Sequence, residues 1–153
     1  FVVPLLNFCQ TEFHFSHVWD SDVPMVPSSK SLQMTNNGLL PLGFTVKTQP
    51  PFSVDIAEHS LKVGESGELS VGFDPGYRGD SQSCRYESKL SVTYRNHSQK
   101  DGLPVVGDVA FPNLDFEYTR VSFGCVLNDT TMTKLVRITN SSIVDCAFRW
   151  SFL

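Results

Sequence analysis

No segment of this sequence carries apolar residues at a convincing period of 3.6, so amphipathic helices are not expected to build its core. Positive charge is scarce as well. Twelve lysines and arginines against 16 aspartates and glutamates leave a net charge of -4, with no stripe that could neutralise a phosphate backbone or an anionic lipid surface. Nucleic acid and membrane are therefore not expected as partners. Long hydrophobic runs are missing too: the opening FVVPLLNF is interrupted by Pro4 and Asn7 and is too short to cross a bilayer. It has no charged region or small-residue cleavage site of a signal peptide, and Phe1 is not an initiator methionine.

Chemistry-bearing constellations are equally absent. His14, His17, His59 and His97 are scattered, without HExxH and without a Cys/His pair at zinc-ligand spacing. Asp20, Ser21 and Asp22 lack the glycine and glutamate that an EF-hand loop demands, so they read as a solvated loop. Gly64 to Gly67 (GESG) is one residue short of a nucleophile elbow and lies between two strands, so it reads as a hairpin turn. No acid, base and nucleophile recur at plausible spacing, and we expect no catalytic, cofactor-binding or metal site.

Cysteine is sparse: Cys9, Cys84, Cys125 and Cys146, with no Cys-Trp-Cys pattern of the antibody type. Buried free thiols in a reducing compartment are the expected reading. Sequons at Asn96, Asn128 and Asn140, together with Arg78-Gly79-Asp80, define the alternative: an extracellular, glycosylated Ig-like adhesion or receptor array. Mere polar turns also account for the tripeptide.

What is present is period-2 alternation. Leu69, Val71 and Phe73 alternate with Glu68, Ser70 and Gly72; Leu90, Val92 and Tyr94 alternate with Lys89, Ser91, Thr93 and Arg95. Turn chemistry separates such runs at Asn36-Asn37-Gly38, Gln49-Pro50-Pro51, Gly64 to Gly67, Asp74-Pro75-Gly76, Arg78-Gly79-Asp80 and Asp101-Gly102. The expected strands are 13–19, 30–36, 42–47, 52–56, 59–63, 67–73, 86–96 and 103–112, then 114–118, 120–127, 133–140 and 146–152. Eight short, antiparallel-looking strands in about a hundred residues fit a β-sandwich of immunoglobulin size.

The sequence also repeats itself. Asn36 to Val46 (NNGLLPLGFTV) returns 104 positions later as Asn140 to Trp150 (NSSIVDCAFRW), which aligns Leu32, Met34, Leu42, Phe44 and Val46 with Val136, Ile138, Cys146, Phe148 and Trp150. Upstream the register slips by one, setting Phe8, Glu12, Phe13 and Val18 opposite Phe111, Asp115, Phe116 and Val121. The expected division is 1–12 as the end of a preceding Ig-like unit, 13–112 as a complete Ig-like domain, and 113–153 as the first strands of a second, truncated one. Only Pro112 and Asn113 join the last two, a connection that restricts their relative orientation. In the second unit Val136, Ile138, Cys146, Phe148, Trp150 and Phe152 should form a core face that later sequence must cover. Trp150 is expected in that core; Trp19 is left open as a binding anchor.

Several segments resemble the Ig-like domains of the major-sperm-protein and ASH class found in ciliary and centrosomal proteins. They are VSFGCV at 121–126 with LVRITN at 135–140, PLGFTV at 41–46 with PPFSV at 50–54, LSVGFDP at 69–75, and VVGDV at 105–109. FPNLDFE at 111–117 and FGCVLND at 123–129 are similar to repeats of the axonemal central-pair branch. VWDSDV at 18–23 departs from the Phe-Gly start expected there, and no concentrated Lys/Arg face exists for capturing acidic peptides, so that activity is not carried over.

The resemblance implies an all-β fold of major-sperm-protein/ASH-type sandwich repeats, one complete and one truncated, without enzymatic activity or cofactors. It further implies a structural scaffold segment in the cytoskeleton of the motile cilium, within the central apparatus, bracing a central-pair microtubule. The implied partners are other central-apparatus proteins and neighbouring Ig-like units of the same chain, with tubulin a further candidate.

Overall fold

The computed structural model describes residues 2–151 and contains eleven β-strands and no helix among them. The chain runs through β1 (Leu6–Phe8), β2 (Phe13–Val18), β3 (Ser28–Asn36), β4 (Leu42–Lys47), β5 (Phe52–Val54) and β6 (Glu58–Leu61). It continues through β7 (Ser66–Phe73), β8 (Cys84–Tyr94), β9 (Lys100–Ala110), β10 (Leu114–Phe116) and β11 (Ile138–Asn140). A four-stranded sheet ordered β1-β3-β7-β5 faces a five-stranded sheet ordered β2-β9-β8-β4-β6, and β10 pairs with β11 separately.

Alternation decides which residues enter the core. Leu69, Val71 and Phe73 of β7 and Leu90, Val92 and Tyr94 of β8 are all buried, facing across the two sheets with Leu32, Met34, Phe44, Val46 and Val105. Each such side chain contributes about 1.5–3 kcal/mol when removed from water. Phe73 centres an aromatic group, with ring centroids 5.5 Å from Phe15, 5.2 Å from Phe52 and 6.1 Å from Tyr86. Room for that ring comes from Gly107 of β9, where an added Cβ would lie 2.3 Å from Phe73 Cε2.

Four expectations change here. Residues 6–8 do not close a preceding unit: β1 pairs antiparallel with β3, and Leu6 enters this core. Leu6, Asn7 and Phe8 do alternate, but three residues are too few for the pattern to mark a strand. Next, β2 is parallel to β9, because the segment before it crosses from the four-stranded to the five-stranded sheet. Gly64 to Gly67 is likewise a sheet-to-sheet crossing from β6 to β7 and not a hairpin turn, with Gly64 at φ 75°. Finally, no strand forms at 120–127 or over the described part of 146–152, and the strands expected at 114–118 and 133–140 shrink to β10 and β11. An isolated two-stranded ribbon has nothing on either edge to extend it.

Candidate functional site

Asn36 ends β3 fully buried, the one buried polar residue among those described. Its amide nitrogen donates to the carbonyls of Leu40 (2.9 Å), Lys62 (3.1 Å) and Leu61 (3.2 Å), and its side-chain oxygen accepts from the Gly38 N–H (2.9 Å). One side chain thus ties the β3–β4 turn to the β6–β7 crossing, satisfying groups that burial would otherwise orphan.

Asn140 stands in the same place on β11. Its nitrogen donates to Val144 O (2.9 Å) and its oxygen accepts from Ser142 N (3.0 Å), the same offsets of four and two residues. The pairing matches as well: Leu6↔Asn36, Asn7↔Thr35 and Phe8↔Met34 in one case, Leu114↔Asn140, Asp115↔Thr139 and Phe116↔Ile138 in the other. The flanking bonds Asn37 N→Leu5 O and Cys9 N→Gln33 O have counterparts in Ser141 N→Asn113 O and Glu117 N→Arg137 O. The β10–β11 ribbon therefore copies the β1–β3 corner of the sandwich. This corrects the upstream register: Phe8 corresponds to Phe116 and not to Phe111, so the second copy is four residues shorter between its paired strands, where the expected slip made it one residue longer.

Asn113 fixes the joint between the two. Its side-chain oxygen accepts from Ser83 N (2.8 Å) and Ser83 Oγ (2.5 Å), its nitrogen donates to Ser81 O (3.1 Å), and its backbone carbonyl accepts from Ser141 N (3.3 Å). Ser83 Oγ in turn bonds the carbonyl and the N–H of Phe111. The two-residue connection is clamped from both sides.

The remaining sequence candidates are dispersed. Arg78 pairs with Asp80 at 2.8 Å, so the charges of that tripeptide face each other. Trp19 is about one-third exposed and anchored through its backbone to Ala110 O. Trp150 is not in a core: it is 68% exposed, edge-to-face with Phe116 and Phe148, because no sheet lies over it as the opposing sheet lies over Val46. Phe148 is exposed and Ile138 and Val136 only partly covered; Phe152 lies outside the described residues. The four cysteines are free; Cys84 and Cys146 are half-buried, Cys9 and Cys125 exposed. Among the described residues no three His, Cys, Asp or Glu side chains converge as metal ligands would. Sequence reasoning missed the role of Asn36 and Asn113; the recurrence of asparagine at 36 and 140 was the available signal for the first.

The sequence pattern of the HYDIN/CFA65/VesB-like Ig-like domain matches residues 4–107. The chain belongs to this family. Its start at residue 4 agrees with β1 being part of the HYDIN/CFA65/VesB-like sandwich. The human hydrocephalus-inducing protein homolog is 32% identical over an alignment 163 positions long, covering 100% of this chain and 3% of that protein. The chain thus spans about 3% of the length of this curated relative. Among solved structures, a family 123 glycoside hydrolase from Clostridium perfringens superposes with a TM-score of 0.51 at 8% identity, covering 71% of this chain and 27% of that one. At such identity the likeness is one of fold alone. The seventh PapD-like (ASH) domain of human CEP192 gives a TM-score of 0.47 at 9% identity, with 71% of this chain and 87% of that one covered.

Proposed function

We propose that this HYDIN-like segment is a non-enzymatic structural part of a large scaffold in the central apparatus of the motile-cilium axoneme, where it helps brace a central-pair microtubule. The observation that carries the proposal is the clamped joint: a repeated β-corner attached through Asn113 transmits orientation from one module to the next. A stiff row of sandwiches works as a spacer, which is what a brace between filament and neighbouring proteins requires. Its partners on this reading are neighbouring Ig-like units, other central-apparatus proteins and tubulin. The extracellular alternative gains no support from the relatives, which are hydrocephalus-inducing proteins.

The test is localisation and shape together. The intact protein, tagged in motile ciliated cells, should co-purify with axonemes after membrane removal and lie on the central pair by electron tomography. Absence from axonemes, or glycan on Asn96, Asn128 or Asn140 of the native protein, would overturn the proposal.

A further inference from the structure

The five-stranded sheet has a gap. β4 pairs with β8 only from Phe44↔Tyr94 to Lys47↔Ser91, then departs through Pro50 and Pro51 to form β5 in the other sheet. β8 itself continues to Cys84, paired on its far side with β9 without interruption. Because Arg95 N–H donates to Gly43 O, odd-numbered residues of β8 point their backbone groups toward β4. Beyond Ser91 the next in that row are Lys89, Glu87 and Arg85, and among the described residues no backbone partner meets them. A groove of about 610 Å³ lies along this stretch, lined by Lys47, Thr48, Gln49, Glu87 and Lys89 among others. The other long edge, β2, differs: the Lys30 ammonium donates to His14 O at 2.5 Å and blocks it.

We infer that this open β8 edge takes up an extended segment of another protein as an added strand, and that the segment carries acidic, basic and acidic residues at alternate positions. An added strand supplies the missing main-chain hydrogen bonds, and side chains directly opposite share a face. The exposed face of the edge reads Arg85, Glu87, Lys89, so opposite charges in the incoming strand read acid, base, acid. This order is the same in both directions and suits parallel or antiparallel entry. Lys89 and Lys47 make the Lys89 end the stronger anchor, since Arg85 already faces Glu87 (3.4 Å) and Asp108 (3.7 Å). Seven residues of β8, Cys84 to Leu90, lie between the Lys47–Ser91 pair and Ser83. The inference rests on the scaffold reading only for its source of strand, a neighbouring protein.

The chain is titrated with two nine-residue peptides, Ser-Thr-Glu-Thr-Lys-Thr-Glu-Thr-Ser and the same peptide with every Glu and Lys exchanged, following backbone amide shifts and hydrogen exchange. The first should bind about tenfold tighter than the second, since three opposed charge pairs change sign. Binding should protect the amides of Arg85, Glu87 and Lys89, while Tyr86, bonded toward β9, stays protected throughout as a control of folding. Glu87→Lys should move the preference to a peptide with glutamate at all three positions. Equal affinity for the two peptides, shifts confined to another surface, or a second copy of the chain occupying this edge would overturn the inference. None of these results depends on where the protein resides in the cell, so a failed localisation leaves this test intact.

Discussion

Asn140 repeats Asn36 bond for bond within its own turn: each amide donates to the carbonyl four residues on and accepts from the N–H two residues on. They differ in what lies behind them. Asn36 also reaches Leu61 O and Lys62 O across the sandwich, which makes it a structural lock in the first copy. Asn36→Ala should orphan those buried carbonyls and the Gly38 N–H at once. A loss of about 3 kcal/mol in unfolding free energy is expected, at the upper end for unsatisfied buried groups, read from the denaturant midpoint at unchanged slope. Asn140→Ala, on an exposed ribbon, should leave that midpoint nearly unmoved.

Much of this architecture could be read from alternation. β3, β4, β7, β8 and β9 lie within a few residues of their expected places because each has several large side chains on one face and polar ones on the other. Strand direction and sheet membership are not encoded that way, so the parallel β2–β9 pair and the β6–β7 crossing escaped. β1 escaped for brevity. The open β8 edge was half legible: Gln49-Pro50-Pro51 marks where β4 must stop, but only the register shows that β8 runs on past it. Asn36 looked like an ordinary turn residue because polarity predicts exposure unless the number of available partners is known.

Gly107 sits beneath the buried ring of Phe73, and an alanine methyl there would lie 2.3–2.9 Å from three ring carbons. The ring is hemmed in by Phe15, Phe52 and Tyr86 and has little room to retreat. Gly107→Ala should cost about 2 kcal/mol by overpacking. Pairing it with Phe73→Leu should recover part of the loss; simple additivity in a double-mutant cycle would show that the two do not meet.

Stability should fall at both ends of the pH range for identifiable reasons. The Asp55 carboxylate accepts the Ser70 N–H (2.9 Å) and the Ile56 N–H (2.8 Å), and the first of these chiefly holds it below its ordinary value, with desolvation opposing. A depressed carboxyl stabilises the fold fully above that ordinary value near 4 and loses the contribution as pH drops through and below it. Tyr94 is shifted upward, first by burial and then by its hydrogen bond to Asp101. The unfolded phenol ionises near 10 while the folded one stays neutral, so stability declines as pH climbs past about 10. Thermal midpoints against pH should show a flattened acid limb in Asp55→Ala and a shallower alkaline limb in Tyr94→Phe. Tyr86, raised by burial and by Cys84, should keep some alkaline loss in the latter.

The stiffness of the joint is testable on this chain directly. Asn113 holds Ser81 and Ser83 with its side chain and Ser141 with its backbone, while Ser83 also holds Phe111. Asn113→Ala removes the side-chain half of this clamp but leaves the backbone bond to the β11 turn. The sandwich core ends at Phe111 and should lose only about 1 kcal/mol, since these bonds are largely exposed. The β10–β11 ribbon should gain independent motion, seen in backbone relaxation as lower order for residues 114–116 and 138–140 than for β8 and β9. Ser83→Ala should do the same to a smaller degree. If the ribbon already tumbles separately in the unaltered chain, or if neither variant changes its relaxation, orientation is not passed through Asn113 and the spacer mechanism loses its physical basis.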